Sequence, residues 1–238
     1  MFERALTRGA AEIGLAVSGS QIELFRRFYE LVRIGNQKIN LTAITGEREA
    51  AVKHFVDSLT CLLVVDPPRG ARLADVGSGA GFPGVVLKVA RPDLQVTLVE
   101  SVRKKAAFLE EAVRELALAG VRVAGLRAEE LGRKDGEREA YEVVTARGVA
   151  ALPVVCEYCL PLVKVGGHFV SFKGPDVGRE VDGGRRAAGR LGAELEELHR
   201  VTLPEGAGER VLVVFRKVGA GPAEYPRDPS RVKRRPLG

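Results

Sequence analysis

The apolar residues in the first part of the chain recur at the spacing of amphipathic helices. Ile22, Phe25 and Val32 follow one another at intervals of three and seven residues, and residues 52–63 contain a second such pattern. Proline and glycine interrupt the pattern at residues 66–70, and such residues commonly mark the end of a helical region. The sequence therefore predicts an N-terminal helical subdomain over residues 1–68.

After Gly70, short runs rich in β-branched residues alternate with longer helical patterns. Strands are predicted at residues 72–76, 95–100, 121–126, 142–145, 168–172, 196–203 and 210–218, and helices at 102–119, 152–163 and 177–191. This alternation predicts an α/β fold over residues 69–218, with a mostly parallel sheet and helices on both faces. The turn at residues 204–208 is too short for a crossover helix, so the last two strands should pair as an antiparallel hairpin.

A glycine-rich loop follows the first predicted strand and precedes an apolar helical pattern. Within residues 75–84, Gly79, Gly81 and Gly84 have the spacing G-x-G-x-x-G. Glycine lets the backbone approach a ligand closely, and the first amides of the following helix can bind ligand oxygens. Glu100 ends the second strand, 19 residues after Gly81, where a carboxylate can reach the hydroxyls of an adenosine ribose. The loop therefore indicates a nucleotide-sized ligand, either NAD or S-adenosylmethionine (SAM).

The predicted hairpin favours SAM as the cofactor. A dehydrogenase repeats parallel strand–helix–strand units and usually needs a further substrate domain, whereas a sheet that closes with an antiparallel hairpin is typical of SAM-dependent methyltransferases. The predicted fold class is therefore a Rossmann-like SAM-dependent methyltransferase fold. Ala128 and Glu129 follow the third strand, where the adenine ring of the cofactor is expected.

Two cationic residues end predicted strands next to the expected cofactor. Arg147 comes at the end of the fourth strand and Lys173 at the end of the fifth, and ligands of such sheets bind beyond the carboxyl ends of the strands. His54 and Asp57 share one face of the second helical pattern, and Asn40 lies in the dense polar loop before it. These five residues are the candidates for contacts to a substrate.

Several other chemistries lack the residues that they need. The Asp/Asn-Pro-Pro-aromatic motif that grips an exocyclic amine is missing after the fourth strand, and the Asp-Pro-Pro at residues 66–68 precedes the first strand. Cys156 and Cys159 lie in an apolar helical pattern, which favours buried thiols over a cytosine-directed nucleophile or a zinc site. No metal site and no disulfide framework are expected.

Composition and charge indicate the kind of partner. The 238 residues, of which 45% are hydrophobic, suffice for one main domain with a buried core. Of the net charge of +6, +3 lies in residues 224–238, within a proline-containing C-terminal tail at 219–238. Proline is expected to keep this tail extended, and the basic groups of the tail favour phosphates.

No apolar run has membrane-spanning length and the first residues lack a signal-peptide core, so a cytoplasmic protein without a membrane partner is expected.

Together these segments resemble the bacterial ribosomal RNA small subunit methyltransferase G family, also called glucose-inhibited division protein B. The resemblance covers nearly the whole chain, through residues 36–42, 53–59, 127–130, 145–147, 173–174 and 225–227 and the glycine loop with its Phe82-Pro83-Gly84. It implies SAM-dependent methylation of guanine N7 in 16S ribosomal RNA, near the decoding site. One departure is Asp228-Pro229-Ser230, which stands where the family continues with a glycine-containing basic stretch.

The resemblance also implies roles for individual residues. The cofactor would be bound by Gly77, Gly79, Phe82, Glu100, Ser101, Val102, Ala128, Glu129 and Arg147. We expect Arg147 and Lys173 to orient the guanine, and Asn40, His54 and Asp57 to shape the pocket, with Asp57 as a candidate for easing the positive charge of the product ring. The expected partner is 16S rRNA, the small ribosomal subunit or an assembly intermediate, and the enzyme is expected to be a monomer.

Three alternatives stay open on the sequence. A SAM-dependent methyltransferase of a small molecule would show no salt-dependent RNA binding and no loss of activity when the tail from Tyr225 is removed. An NAD-dependent oxidoreductase would bind NAD and not SAM. A non-catalytic RNA-binding module would use the basic tail and leave the glycine loop without a ligand.

Overall fold

A seven-stranded sheet organises the molecule, and the computed structural model describes all 238 residues. The strands are β1 (Arg72–Val76), β2 (Gln95–Val99), β3 (Val121–Ala124), β4 (Tyr141–Arg147), β5 (Val163–Lys173), β6 (Ala193–Leu203) and β7 (Gly208–Lys217). Their order is β3-β2-β1-β4-β5-β7-β6. Strands β1 to β5 run parallel, and β7 pairs antiparallel with both β5 and β6. The predicted mostly parallel sheet and its closing hairpin are confirmed.

Helices cover both faces of this sheet. They are α1 (Phe2–Glu12), α2 (Gly19–Asn36), α3 (Glu47–Ala50), α4 (Asp57–Leu59), α5 (Gly84–Ala90), α6 (Arg103–Glu115), α7 (Ala128–Leu131), α8 (Leu152–Cys159), α9 (Gly178–Arg190) and α10 (Pro229–Arg234). A π-helical turn, Ala51–Val56, joins α3 to α4, and a 3₁₀ turn, Thr60–Leu63, follows α4. None of the helices has both the length and the apolar character that crossing a lipid bilayer requires.

The N-terminal helices share a core with one face of the sheet. Phe2, Phe25 and Phe55 are fully buried and belong to the same apolar cluster as Leu87 of α5 and Leu109 of α6. A second cluster on the opposite face unites α7 to α10 with β4, β5 and β7. The N-terminal helices are therefore packed directly against the glycine-loop helix α5, and the division of the chain at residue 69 stays a prediction.

The start of α2 fixes how the N-terminal helices meet the glycine-loop helix. The Ser18 hydroxyl accepts a hydrogen bond from the Gln21 amide, and the Gln21 side chain accepts one from the Ser18 amide, which together form a capping box. The side-chain Nε2 of Gln21 also donates to the carbonyl of Ala90 at 3.0 Å. Because this carbonyl lies at the end of α5, Gln21 both takes part in the capping box of α2 and connects α2 to α5.

The C-terminal tail is not extended as its prolines predict. Residues Pro229–Arg234 form α10, whose first turn begins with Pro229 and is capped by the Asp228 side chain. Proline lacks only a donor that is unpaired in the first turn anyway, and its fixed φ suits a helix start. Val232 and Leu237 are buried against the second core cluster. The apolar packing of these two side chains overrides the extended conformation expected from proline content.

Candidate active site

The glycine loop connects β1 to α5 beneath two adjoining cavities. Gly77 has a φ of +72° and a Cβ at this position would lie 2.6 Å from Val149 Cγ2, so a side chain is excluded both by backbone strain and by space. At Gly84, the first residue of α5, a Cβ would lie 2.5 Å from Leu98 Cδ2 and 2.8 Å from Asp75 Cβ. The two glycines therefore allow the loop to lie close to β2 and to the loop that follows β4.

Asp75 is a fully buried carboxylic acid that holds the loop in place. Its Oδ2 accepts a hydrogen bond from the Gly84 amide at 3.0 Å, and its Oδ1 accepts one from the Thr145 hydroxyl at 2.9 Å. Burial raises the pKa of Asp75 to about 6, although these hydrogen bonds lower it. The carboxyl group links the end of β1 to the start of α5 and to β4.

This raised pKa predicts a pH-dependent contribution of Asp75 to stability. Because the folded pKa lies above the unfolded value, the contribution is complete below the unfolded pKa and is lost as the pH rises through about 6. We expect the free energy of unfolding of the wild type, minus that of Asp75→Asn, to fall by about 2 kcal/mol from about pH 4.5 to about pH 7. Urea unfolding at both pH values measures this difference, and a difference independent of pH would contradict the assignment.

Glu100 joins the glycine loop to the loop that follows β2. Its Oε2 accepts from the Gly79 amide at 3.0 Å and its Oε1 from the Val102 amide at 2.7 Å. The residue is 6% exposed. A carboxylate offers about four lone-pair positions, so each oxygen retains capacity to accept a hydroxyl of a ligand.

The smaller cavity, of about 170 Å³, has the lining expected for an adenosine-containing cofactor. Four of the residues predicted to bind the cofactor line it, namely Gly77, Ser101, Ala128 and Glu129. Gly79, Glu100 and Val102 are not among its lining residues, but the Glu100 hydrogen bonds place them together in the adjoining loops. Arg147 lines the larger cavity instead, and Phe82 packs against its guanidinium group.

Tyr158 of α8 also lines the smaller cavity, and sequence reasoning missed it. Burial raises the pKa of Tyr158 to about 12, and the nearby Glu129 carboxylate adds to this. The phenol therefore stays protonated and can stack with a ring or donate a hydrogen bond. The buried acceptors of Glu100 in the adjoining loops and the aromatic wall of Tyr158 make this cavity a fit for the adenosine part of the cofactor.

The larger cavity, of about 440 Å³, is lined by four cationic side chains: Lys53, Arg147, Lys173 and Arg210. His54 and Asp57 contribute from the N-terminal region. Val149 and Ala150, in the loop between β4 and α8, line both cavities. The two cavities therefore adjoin across a single loop at the carboxyl edge of the parallel strands.

Asp57 is enclosed by two guanidinium groups at the wall of the larger cavity. Arg147 donates from Nη1 to Asp57 Oδ2 at 2.8 Å. Arg210 donates from Nε to Oδ1 at 2.6 Å and from Nη2 to Oδ2 at 3.0 Å. Asp57 is fully buried, whereas the side chains of Arg147 and Arg210 are 14% and 23% exposed. Both arginines are thus held by one carboxylate with their remaining donors near the cavity.

The π-helical turn gives Arg147 further anchors. The carbonyls of Lys53 and His54 accept hydrogen bonds from its Nη1 at 3.2 and 3.4 Å. The guanidinium carbon also lies 5.3 Å from the centre of the Phe82 ring, within the range of a cation–π interaction. Single π-helical turns often occur at functional sites. The predicted helical face is confirmed for His54 and Asp57, and the π-helical geometry was not predicted.

His54 is held as a neutral imidazole. It stacks on Phe82 with ring centres 4.6 Å apart, and its Nε2 lies 2.8 Å from the Thr42 hydroxyl. Burial and the neighbouring Arg147 cation lower the pKa of His54 to about 3. Such a low pKa makes His54 a weak base, and the ring instead forms part of the cavity wall.

Lys173 reaches the cavity from the end of β5. Its Nζ donates to the Ala150 carbonyl at 2.8 Å and to Glu180 Oε2 at 2.8 Å. The side chain is 13% exposed. Lys173 therefore ties the loop shared by the two cavities to α9 and keeps its third donor for a ligand.

Asn40 does not meet the other predicted substrate residues. It is exposed and lines neither cavity, and its predicted role stays untested. The neighbouring Asn36 organises the polar loop instead, because its Oδ1 accepts from the amides of Leu41 and Thr42 at 2.8 and 3.0 Å. These bonds place Thr42 against His54.

Arg210 is another cavity residue that the sequence did not single out. It precedes Val211, which pairs with Lys173 in the antiparallel register of β7 and β5. Because β7 runs antiparallel, its first residues lie beside the carboxyl ends of the parallel strands. The predicted hairpin therefore indicates that the start of β7 lies at this edge of the sheet, although it does not single out Arg210.

The three cysteines are fully buried thiols, and burial raises the pKa of each of them. A nucleophilic cysteine needs an accessible thiolate, so Cys156 and Cys159 are in the packed positions that their apolar pattern predicts. No three His, Cys, Asp or Glu side chains come together in an arrangement that could hold a metal ion.

Comparison with known proteins relates the sequence of this chain to one family. The sequence model of the family described as rRNA small subunit methyltransferase G matches residues 21–207. The ribosomal RNA small subunit methyltransferase G of Pelotomaculum thermopropionicum is 47% identical, over 98% of this chain and 97% of its own length. The protein of the same name from Roseiflexus castenholzii is 48% identical, over 98% of both chains.

A solved structure with low sequence identity shares the fold. The 16S rRNA (adenine(1408)-N(1))-methyltransferase from Catenulisporales acidiphilia, crystallised as a variant with its cosubstrate SAM, superposes with a TM-score of 0.51 at 16% identity. The match covers 66% of this chain and 88% of that one. It supports the predicted Rossmann-like methyltransferase fold.

Proposed function

The chain belongs to the ribosomal RNA small subunit methyltransferase G family, and we propose that it transfers the methyl group of SAM to N7 of a guanine in 16S rRNA, near the decoding site. The observation that carries this proposal is the pair of cavities that share Val149 and Ala150. The smaller cavity suits the adenosine of the methyl donor, and the larger one suits an anionic substrate. Because the two cavities share one wall, a donor and an acceptor bound in them would lie side by side.

The cofactor is proposed to be held by the residues around the smaller cavity. Gly77 and Gly79 take the positive φ that the turn of the loop requires. Glu100 offers acceptors to the ribose hydroxyls, and the segments Ser101–Val102 and Ala128–Glu129 border the adenine. SAM supplies an electrophilic methyl group when it is bound. Phe82 supports the site by stacking on the His54 ring and by packing against the Arg147 guanidinium.

The chemistry of guanine N7 agrees with the lack of a strong base. N7 carries a free lone pair, so it can form the new bond to the methyl group without losing a proton. The weakly basic His54, with its pKa of about 3, is then no obstacle to the reaction. The protein mainly has to align the base and to supply a favourable electrostatic field.

We propose that Arg147 and Lys173 orient the guanine through O6 or a flanking phosphate. Arg210 adds a third cationic group to the same cavity. Asp57 accepts hydrogen bonds from both arginines, so we assign it as a positioning residue for them, and easing of the cationic product ring by its carboxylate stays a prediction. His54 shapes the wall of the pocket.

The partner is proposed to be 16S rRNA, bound by a monomeric enzyme in the cytoplasm, either within the small subunit or in an assembly intermediate. The four cations of the larger cavity and the exposed Arg231, Arg234 and Arg235 of the tail supply charge for phosphates. A small-molecule substrate would not need this distribution of charge.

Nucleoside mapping tests the proposal. The purified protein should incorporate methyl groups from SAM into 16S rRNA or small subunits, and digestion should yield 7-methylguanosine at a single site. Titration of the protein with SAM and with NAD serves as the control for cofactor identity. Binding of NAD alone, or methylation only of small molecules, would overturn the proposed function.

A further inference from the structure

The C-terminal helix contributes one residue to the smaller cavity. Lys233 of α10 lines it together with Ser101 and Tyr158, although it is far from both in sequence. The Lys233 side chain is exposed and forms neither a hydrogen bond nor an ion pair within the protein. Its ammonium group is therefore free to donate to whatever occupies the cavity.

The tail is anchored firmly enough to place this lysine. Arg227 forms a two-pronged ion pair with Glu157, from Nε to Oε1 at 2.8 Å and from Nη2 to Oε2 at 2.6 Å. The Arg227 amide also donates to Glu157 Oε1 at 2.9 Å. Glu157 is fully buried and lies in α8, the helix that also carries Tyr158. The ion pair thus attaches the tail to the wall of the same cavity.

Apolar packing sets the rotation of α10. Val232 is fully buried and Leu237 is 5% exposed, whereas Arg231, Arg234 and Arg235 are exposed. With Val232 directed into the core, its neighbour Lys233 is brought to the rim of the cavity. Two further arginines support this position, since Arg133 donates to the Pro226 carbonyl at 2.7 Å and Arg138 to the Tyr225 carbonyl at 2.6 Å.

We propose that Lys233 is a cofactor-binding residue, and that the docked tail completes the SAM site by donating from the Lys233 ammonium to the adenosine part of the cofactor. This inference rests on the proposed function, because it takes the smaller cavity as the SAM site. Adenine ring nitrogens and ribose hydroxyls accept hydrogen bonds, and the ammonium has three donors. A tail whose other basic groups bind phosphate then connects RNA binding to cofactor binding.

Calorimetric titration of the full chain with SAM and with S-adenosylhomocysteine tests this contact. Lys233→Ala is expected to weaken binding of both ligands by about fivefold to tenfold, since it removes one hydrogen bond from a charged donor. Lys134→Ala, which replaces an exposed lysine that lines neither cavity, serves as the matched control and should leave both dissociation constants unchanged. Thermal unfolding of each variant checks that the full-length protein is folded.

The outcomes separate this inference from the proposed function. A wild-type protein that binds neither ligand would overturn the proposed function. A wild type that binds SAM together with a Lys233→Ala variant of equal affinity would overturn the inference alone. Lys233→Met keeps most of the aliphatic stem, so wild-type affinity in that variant would assign the effect to packing and contradict the ammonium contact. A loss of affinity for SAM without a loss for S-adenosylhomocysteine would exclude the adenosine part as the acceptor.

Discussion

Replacement of Arg147 by alanine is expected to slow methylation of 16S rRNA by about a hundredfold or more. The guanidinium is fixed by Asp57, by the carbonyls of Lys53 and His54 and by the Phe82 ring. A donor held in this way needs no reorganisation when charge develops on the substrate, and removal of one such oriented donor typically costs two to three orders of magnitude in rate. Single-turnover methylation with saturating SAM measures the effect.

The fold should tolerate this substitution, because Arg210 still pairs with Asp57. Arg200→Ala is a suitable control, since the Arg200 side chain is 58% exposed and its nearest carboxylate oxygen lies 3.8 Å away. The dissociation constant for SAM should be measured in parallel, because Arg147 is also a predicted cofactor residue. An Arg147→Ala variant with normal SAM binding and an unchanged methylation rate would show that the main catalytic assignment is wrong.

Asp57→Asn is expected to lower the free energy of unfolding by about 3 kcal/mol. The substitution leaves two guanidinium groups facing a neutral amide, and removal of one partner from a buried ion pair is strongly destabilising. The partial exposure of Arg147 and Arg210 towards the cavity keeps the loss at the lower end of the usual range. For a chain of this length, the melting temperature should fall by roughly 10 °C.

A second substitution should restore part of this loss. Adding Arg210→Gln to Asp57→Asn removes one of the two uncompensated cations, so the double variant should be more stable than the sum of the single effects predicts. Asp66→Asn is the control, because Asp66 is 96% exposed and pairs with Arg91 at the surface, where such pairs contribute little. Strict additivity between positions 57 and 210 would contradict the electrostatic coupling of the three residues.

The fold was largely predictable because its signals are local. Each predicted strand is a short run with its own β-rich composition, although β5 and β6 extend to 11 residues each, and the turn at residues 204–208 is too short for a crossover helix. The exception is α10. Proline content alone predicts an extended tail, but the burial of Val232 and Leu237 depends on surfaces of α8 and α9 that lie far away in sequence.

The candidate site was predictable where a residue follows a strand end or lies on one helical face, as His54 and Asp57 do. Arg147 and Lys173 stand at the carboxyl ends of β4 and β5, and strand order brings these ends together. Arg210 reaches the same cavity through the register of β7 against β5, and Lys233 reaches the smaller cavity through the docking of a tail. The hairpin indicates that the start of β7 returns to this edge of the sheet, but the register that selects Arg210 and the docking that brings Lys233 to its cavity are set only by tertiary packing.

The sequence by itself determined the α/β class, the glycine loop, the closing hairpin and the strand-end positions of Arg147 and Lys173, because these depend on periodicity, turn length and chain direction. Only the tertiary structure decided that Asp57 lies between two arginines, that His54 is a weak base and that Lys233 borders the smaller cavity. Ion pairing, desolvation and cavity shape depend on distances between segments widely separated in the chain. These distances are fixed by the packing of the whole core.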